Sequence, residues 1–393
     1  MSEAPSSTDR ELASDVAHPD ICVVTHPLGA AGENATRTLL EILGAITSVS
    51  LVTANLPSDS AIRNRHEVVE LTRKGAGQSN VFVAAVRFII NQIRMCRVIG
   101  RRDEDVVLFF GATAYLLPIV WTKTLGKTVV LEPRGNVPLT LQLAWEQQFP
   151  DIIARLLGGA VWSLERLGYW LADDIIAYTP GMAEELGLDS FAEKLHMNGA
   201  RYVDTERFAP QVPFEERKNV VGFLGRLDEE KNVRILAAAA QELSTDVTFR
   251  FIGDGDLREE LERELAEEVA AGQVEFTGWI DHDEVPEELS ELRLLVLPSE
   301  PTEGLPTVIL ESMACGTPVL ATPVAGVSDI VEERKTGFLV TAPGEVRLAH
   351  EIECVLDRED LPHISESARS LIEIKYSFEA AVRRYEKLLR SIG

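Results

Sequence analysis

Short apolar runs alternate with amphipathic stretches along most of this chain. Ile21–Thr25 is five residues of strand-forming character, and comparable runs follow at 48–53, 105–110, 127–131 and 173–178. The segments between them carry apolar residues at helical spacing. A second series begins with 219–224, continues through 247–253, Leu294–Leu297 and 317–321, and closes at 335–340. Strand, turn and helix in regular alternation predict an α/β protein with parallel sheets, because parallel neighbours need a crossover helix. Helices are expected at 81–102, at 152–172, over 345–393 with the last starting near Phe378, and from Val233. The stretch 200–218, rich in turn residues and proline, reads as a linker between the two series. The domains expected are 20–205 and 206–377, with the final helix of about 378–393 packing back on the first. Residues 1–19 are acidic and rich in Ser, Ala and Pro, and read as a disordered tail.

The chemistry concentrates in 303–318, E-G-L-P-T-V-I-L-E-S-M-A-C-G-T-P. Pro306 suits the first position of a helix and Gly316 with Pro318 its end. Glu303 then lies in the loop before the helix and Glu311 more than a turn inside it. The amides of Thr307 and Val308 at the helix start form an anion site. A loop carboxylate, free amides and a helix carboxylate can grip sugar hydroxyls, a phosphate and a ribose; the same pattern also fits a surface helix with two solvated glutamates.

Other turns admit paired readings. Gly225-Arg226-Leu-Asp-Glu-Glu-Lys231 joins a strand to a helix, and two cations at a glycine turn can neutralise a diphosphate or pair with Asp228, Glu229 and Glu230. His26-Pro-Leu-Gly29-Ala-Ala-Gly32 is a ligand-binding loop after a strand or a tight turn that needs glycine. Arg134, in E-P-R-G-N, faces a substrate at the carboxyl end of a strand or is an exposed turn residue. Asp254-Gly255-Asp256 and Asp281-His282-Asp283 read as turns followed by an N-capping Asp rather than as metal ligands. On the helix at 81–102, Arg87, Arg94 and Arg101 recur every seven residues, opposite Phe82, Val86, Ile89, Ile90 and Ile93. This stripe lies against an anionic membrane surface or is a solvated face. In the helix at 152–172, Trp162 and Trp170 read as core.

Composition narrows the classes. The 393 residues carry a net charge of −25, which argues against a nucleic-acid binder. Positive charge at any phosphate site must therefore be built locally. Nine lysines serve the whole chain, and such an acidic, lysine-poor composition suits a protein working in high salt. Cys22, Cys96, Cys315 and Cys354 form no C-x-x-C pair, so neither a disulfide framework nor a zinc site is expected and the reading is intracellular. The most apolar long stretch, 109–131, is interrupted by Lys123 and Lys127 and does not span a bilayer.

Together these motifs resemble glycosyltransferase family 4. G-R-L-x-x-x-K is matched by Gly225, Arg226, Leu227 and Lys231. The E-x(7)-E pair is matched by Glu303 and Glu311, with Gly304 and Pro306 between them. C-G-T-P-V at 315–319, G-D-G-x-L at 253–257 and N-G from Asn198 fit as well. The resemblance implies the GT-B fold, two Rossmann-like doubly wound domains facing a cleft. It implies a retaining hexosyltransferase that takes a nucleotide-sugar donor and a glycan or lipid-linked acceptor and needs no metal or other cofactor. Arg226 and Lys231 would hold the diphosphate, Glu303 the donor sugar and Glu311 the ribose. Gly225, Gly304, Leu305, Pro306 and Thr307 would shape the donor site, and Gly29 and Gly32 would approach donor and acceptor. Arg134 stands where many relatives carry a nearby histidine, and Asp329 where they carry Glu in G-G-x-x-E. The expected setting is cell-surface glycan or protein glycosylation, in the cytoplasm or peripherally at the inner membrane face through Arg87, Arg94 and Arg101. A soluble-acceptor transferase and an inactive accessory subunit of the same fold are the alternatives.

Overall fold

The computed structural model describes residues 18–58, 60–72, 81–146, 148–197, 199–298, 306–340 and 345–392. The expected tail at 1–19 falls almost wholly outside them. By internal contacts the chain divides into two compact units: residues 1–132, 164–175 and 382–393, and residues 133–163 and 176–381.

The strands of the first series are β1 (Ile21–Thr25), β2 (Val49–Thr53), β3 (Glu67–Glu70), β4 (Val106–Phe110), β5 (Thr128–Glu132), β6 (Asp174–Ala177) and β7 (Leu195–Met197). They form a seven-stranded sheet in the order β3-β2-β1-β4-β5-β6-β7. β1 is parallel to both β2 and β4, with Val24 opposite Val52 and Phe109. Every residue of β1 and β4 is buried. That explains their unbroken apolar runs, because helices cover both faces of a parallel sheet. The helices are α1 (Ala30–Gly44), α2 (Ile62–Arg65), α3 (Val81–Ile99), α4 (Leu116–Thr124), α5 (Val137–Glu146), α6 (Asp151–Leu171) and α7 (Pro180–Glu185).

The second series builds β8 (Val220–Leu224), β9 (Thr248–Ile252), β10 (Val274–Gly278), β11 (Leu294–Leu297), β12 (Val319–Ala321) and β13 (Phe338–Leu339), in the order β10-β9-β8-β11-β12-β13. The ladders that join these strands are parallel. Its helices are α8 (Val233–Glu242), α9 (Arg258–Glu264), α10 (Ala266–Ala271), α11 (Val285–Glu291), α12 (Thr307–Ala314), α13 (Glu345–Leu356), α14 (Leu361–Lys375) and α15 (Phe378–Ile392). Both sheets are doubly wound and Rossmann-like, the α/β architecture the alternation predicted.

Several local expectations change. β3, β7 and β10 were not read from the sequence. β3 is flanked by Glu67 and Glu70, and β10 alternates Val-Glu-Phe-Thr; edge strands carry polar residues and lack the fully buried run. The stretch 200–218 is not an open linker, since Val203, Phe208 and Phe214 join the core of the second unit. Trp162 and Trp170 are exposed (55% and 68%) rather than core. The faces of α3 are also rearranged. Asn91, Gln92, Met95 and Ile99 are its buried side, whereas Val86, Ile89, Ile90 and Ile93 are 40–56% exposed. The amide oxygen of Gln92 accepts from the N–H of Leu117 at the start of α4, so the polar pair is buried against a helix end that needs an acceptor. The side chain of Phe82 lies outside the described residues. Among the described residues no helix is long and apolar enough to cross a membrane.

Candidate functional site

The order in which strands are added reverses once in each sheet, and the loops at the carboxyl ends of the strands flanking that switch are where such folds hold ligands. In the second unit the switch lies between β8 and β11. β8 delivers Gly225, Arg226 and Lys231, and β11 leads through 299–305 into α12. The motifs that the sequence singled out separately therefore converge at one point of one sheet.

The loop after β8 is built by short-range hydrogen bonding. Asp228 accepts from the N–H of Lys231 and caps the single 3-10 turn Glu229–Lys231, and Asn232 follows in the left-handed region (φ 52°). The Asn232 side chain donates to the carbonyl of Pro298 at 2.8 Å, tying the loop to the end of β11. A second loop, after β9, supports the first from beneath. The N–H of Leu227 donates to Asp254 O and the N–H of Leu257 to Leu227 O, both at 3.0 Å. Gly255 is required there, since a Cβ would sit 2.5 Å from the carbonyl oxygen of Leu227. The G-D-G-D sequence is thus a backbone support for the Arg226 loop. Asp256 does not cap α9, whose N-cap is Leu257 with no side-chain hydrogen bond. Asp283 is likewise no cap, because Glu284 occupies that position before α11.

Arg226 projects outward with its side chain 66% exposed, bridged to Asp228 at 2.9 Å and Glu230 at 2.7 Å. Pairing with its acidic neighbours is therefore what the protein shows. Exposed pairs of this kind are worth about 0–1 kcal/mol, so a diphosphate can replace them at little cost. Lys231 is half-buried on the same turn.

Helix α12 starts at Thr307, with Pro306 one residue earlier than expected, as the N-cap. No side chain caps it. The guanidinium of Arg201 donates to the Thr307 hydroxyl at 3.3 Å and stacks over Tyr178, 4.7 Å from the ring centroid. A cation thus adds to the positive end of the helix dipole. One turn on, Glu311 is only 8% exposed, and its Oε1 lies 3.1 Å from Nε2 of His282. Glu303, Gly304 and Leu305 lie outside the described residues, as does Asn198. Arg201 and His282 were not singled out as site residues. The N-G-x-R spacing and the His between two Asp were the available signals, but only folding places these side chains beside α12.

In the first unit the switch lies between β1 and β4. Gly29 follows β1 as the N-cap of α1, with φ −89°, a conformation open to any residue. A Cβ there would meet nothing within 4 Å. A strained turn is thus not what needs glycine; its absent side chain leaves the start of α1 open. Gly32 lies in the first turn of α1, not in the loop. Arg134 is half-buried in the turn between β5 and α5, which Asn136 stabilises by accepting from the N–H of Leu139. Asp329 accepts from the N–H of Gly181 at 2.8 Å at the start of α7. Groups of three or more His, Cys, Asp or Glu able to hold a metal are absent among the described residues.

Comparison with known proteins gives glycosyltransferases. Residues 204–376 match the model for glycosyl transferases group 1. The chain is 28% identical over 319 residues to the alpha-D-kanosaminyltransferase of Streptomyces kanamyceticus, covering 77% of this chain and 80% of that protein. It is 29% identical over 206 residues to the Campylobacter jejuni GalNAc-alpha-(1->4)-GalNAc-alpha-(1->3)-diNAcBac-PP-undecaprenol alpha-1,4-N-acetyl-D-galactosaminyltransferase, covering 50% of this chain and 54% of that protein. Among solved structures, Anabaena Alr3699/HepE, crystallised with UDP, superposes with a TM-score of 0.74 at 17% identity, over 95% of this chain and 100% of that one. The architecture is the two-domain, Rossmann-like GT-B fold. Residues 204–376 are thus similar to the glycosyl transferases group 1 family, and the relatives found by sequence are glycosyltransferases.

Proposed function

We propose that the chain transfers a hexose-type sugar, with retention of configuration, from a nucleoside diphosphate sugar to a glycan or lipid-linked acceptor in surface-glycan or protein-glycosylation synthesis. The observation that carries the donor half is the convergence at the β8/β11 switch of Arg226, Lys231, the uncapped start of α12 and the buried carboxylate of Glu311. Arg226, Lys231 and the first amides of α12 hold the diphosphate, and hydrogen bonds to charged groups contribute roughly 1.5–3 kcal/mol each. Glu311 accepts from ribose hydroxyls and Glu303 orients the sugar. No residue in this arrangement is read as a covalent nucleophile, so retention is assigned to attack on the face from which the diphosphate departs. The protein's contribution is positioning and stabilisation of the leaving charge. A diphosphate held by two cations and helix amides needs no metal bridge.

The acceptor half is supported by α3 and α4. From Leu71 to Arg102 the sequence has no acidic residue, in a chain of net charge −25. On α3 the exposed Val86, Ile89, Ile90 and Ile93 lie among the exposed Arg87, Arg94 and Arg97, with the exposed Arg101 just past its end. Leu117, Val120 and Trp121 of the adjoining α4 are also exposed. Apolar and aromatic side chains among arginines suit the interface of an anionic bilayer, where a lipid-linked acceptor resides. The name of the Campylobacter relative, with its undecaprenol-linked acceptor, leans the same way.

The donor reading is tested by thermal shift with UDP, GDP, ADP and TDP and their common sugars, at high and low salt. Ligand at 100-fold its Kd adds about 2.7 kcal/mol of stability. A rise in Tm with one base, lost in Arg226→Ala, is expected; no rise with any of them overturns the donor site. Lys231→Ala and Glu303→Ala should keep the fold and lose transfer.

A further inference from the structure

We infer that His282 is a positioning residue for Glu311, fixed in one tautomer by Arg207, and that this chain of three side chains sets the preference of the donor site for ribose over 2′-deoxyribose. The inference rests on the reading of Glu311 as the ribose contact and adds what holds that carboxylate in place.

The two ring nitrogens of His282 face different groups. Nε2 lies 3.1 Å from Glu311 Oε1, and Nδ1 lies 3.0 Å from Nη2 of Arg207. A guanidinium has no acceptor, so a hydrogen on Nδ1 would find no partner there, and Nδ1 faces Arg207 as the bare nitrogen, sharing the two hydrogens of Nη2 with the carbonyl of His282 and the carboxylate of Asp283. A neutral imidazole has one donor and one acceptor, which places the hydrogen on Nε2, aimed at Glu311. The tautomer thus follows from the chemistry of the neighbour.

Arg207 is itself anchored. Its Nη2 donates to the carbonyl of His282 at 2.5 Å and meets Oδ1 of Asp283 at 2.7 Å. The guanidinium lies 5.5 Å from the ring centroid of Phe208, a buried member of the core of the second unit. The Asp204 carboxylate accepts from the backbone N–H groups of Glu206 and Arg207, fixing the turn from which the side chain leaves. The relay therefore runs from the core to Glu311 through a His282 side chain that is 52% exposed.

What this does to Glu311 follows from torsional freedom. The last torsion of a glutamate is broad, and an unpinned carboxylate would rotate between equivalent poses. The hydrogen bond from His282 fixes the plane at Oε1. Oε2 carries no hydrogen bond among the described residues, which leaves it, with the second lone pair of Oε1, to accept from two adjacent hydroxyls. A ribose supplies such a pair; a 2′-deoxyribose supplies one and leaves an acceptor of a mostly buried carboxylate unmatched.

The test is calorimetric titration of the full chain with UDP and with 2′-deoxy-UDP, repeated with the GDP and ADP pairs. One hydrogen bond to a charged group corresponds to a preference of about tenfold for the ribonucleotide in the native protein. His282→Leu should reduce that ratio to about two- to threefold. His282→Gln, whose amide can donate to Glu311, should restore most of it, and Arg207→Leu should fall between. Glu311→Ala should abolish the ratio. A full ratio in His282→Leu alongside its loss in Glu311→Ala overturns the positioning role. An unchanged ratio in Glu311→Ala fails the ribose reading itself, which is a separate outcome. A Tm for each variant and the His282→Gln rescue separate positioning from a general loss of structure.

Discussion

The hydroxyl of Thr113 hydrogen-bonds the carboxyl of Glu165, and both side chains are buried. Thr113 follows β4 and Glu165 lies on α6, so the pair fastens the helix to the carboxyl end of the sheet in the first unit. Gly168, one turn on, packs so tightly that a Cβ would sit 2.7 Å from the Thr113 carbonyl oxygen. Burial pushes the carboxyl of Glu165 up from 4.5 to about 7, and the Thr113 hydroxyl offsets only part of that rise. A carboxyl raised by folding keeps its proton longer in the native state than in the unfolded one. Its contribution to stability is therefore present below pH 4.5 and is lost as pH rises toward 7. Glu165→Gln keeps the shape and removes the ionisation. It should raise stability above pH 7 by on the order of 2 kcal/mol and change little near pH 4.5. Denaturant titrations of the two proteins at pH 5 and pH 8 would show this; an equal effect at both values would refute it.

Arg217 closes the second unit beneath α12. It is 5% exposed and donates to the carbonyls of Val212, Leu292, Gly316 and Cys315 and to the hydroxyl of Thr317. Burial pulls its guanidinium down to about 10, so it stays charged at neutral pH. Its fork gathers the C-terminal carbonyls of α12, where a cation also favours the helix dipole. Arg217→Met removes all of these donors and leaves buried carbonyls unmatched, at about 1–3 kcal/mol each before relaxation. The expected result is a loss of at least ~3 kcal/mol, read as a lower urea midpoint for the second unit. Arg217→Lys, a point charge without the fork, should recover less than half.

Gly255 carries the Arg226 loop. Gly255→Ala forces a Cβ against the Leu227 backbone and must displace one loop from the other. Gly272, at the end of α10, has φ +75° but open space around its missing Cβ. Gly272→Ala should therefore cost about 1 kcal/mol with transfer intact, the strain of a left-handed alanine alone. Gly255→Ala should cost more and also weaken nucleotide binding several-fold. Equal effects on binding in the two variants would show that the loop contact does not position Arg226.

Much of this was legible in the sequence because parallel strands are buried on both faces and announce themselves as apolar runs. β1, β4, β8 and β11 lie within a residue of where the pattern put them. Arg226, Lys231 and Glu311 were legible through spacing, since each sits at a fixed distance from a strand end or a helix start. His282, Arg201 and Arg207 were not. Their roles depend on which loop lies beside α12, and 29 residues separate His282 from Glu311. The arginine stripe of α3 and the apolar face opposite it were read, but not that the apolar face is exposed. Hydrophobic periodicity states that a helix has two faces; burial decided against the apolar one, because Asn91 and Gln92 are buried and Gln92 serves the start of α4.

That inverted face makes the membrane reading testable. An ordinary solvated helix would bury Ile89, Ile90 and Ile93 and would bind vesicles only through charge, if at all. The exposed mixture of apolar residues and arginines predicts two separable contributions. Binding to vesicles of phosphatidylglycerol should exceed binding to phosphatidylcholine, and added salt should weaken the difference. Arg87→Glu with Arg94→Glu should reduce binding to the anionic vesicles by about tenfold or more, at roughly 1 kcal/mol for each basic residue lost near the surface. Ile89→Ser with Ile93→Ser should weaken binding to both kinds of vesicle, because it removes apolar area rather than charge. Neither pair touches the buried side of α3, so Tm should hold. Flotation assays on the full chain distinguish the outcomes. If the native protein binds neither vesicle, α3 is not a lipid-facing surface, and the acceptor must reach the enzyme from solution.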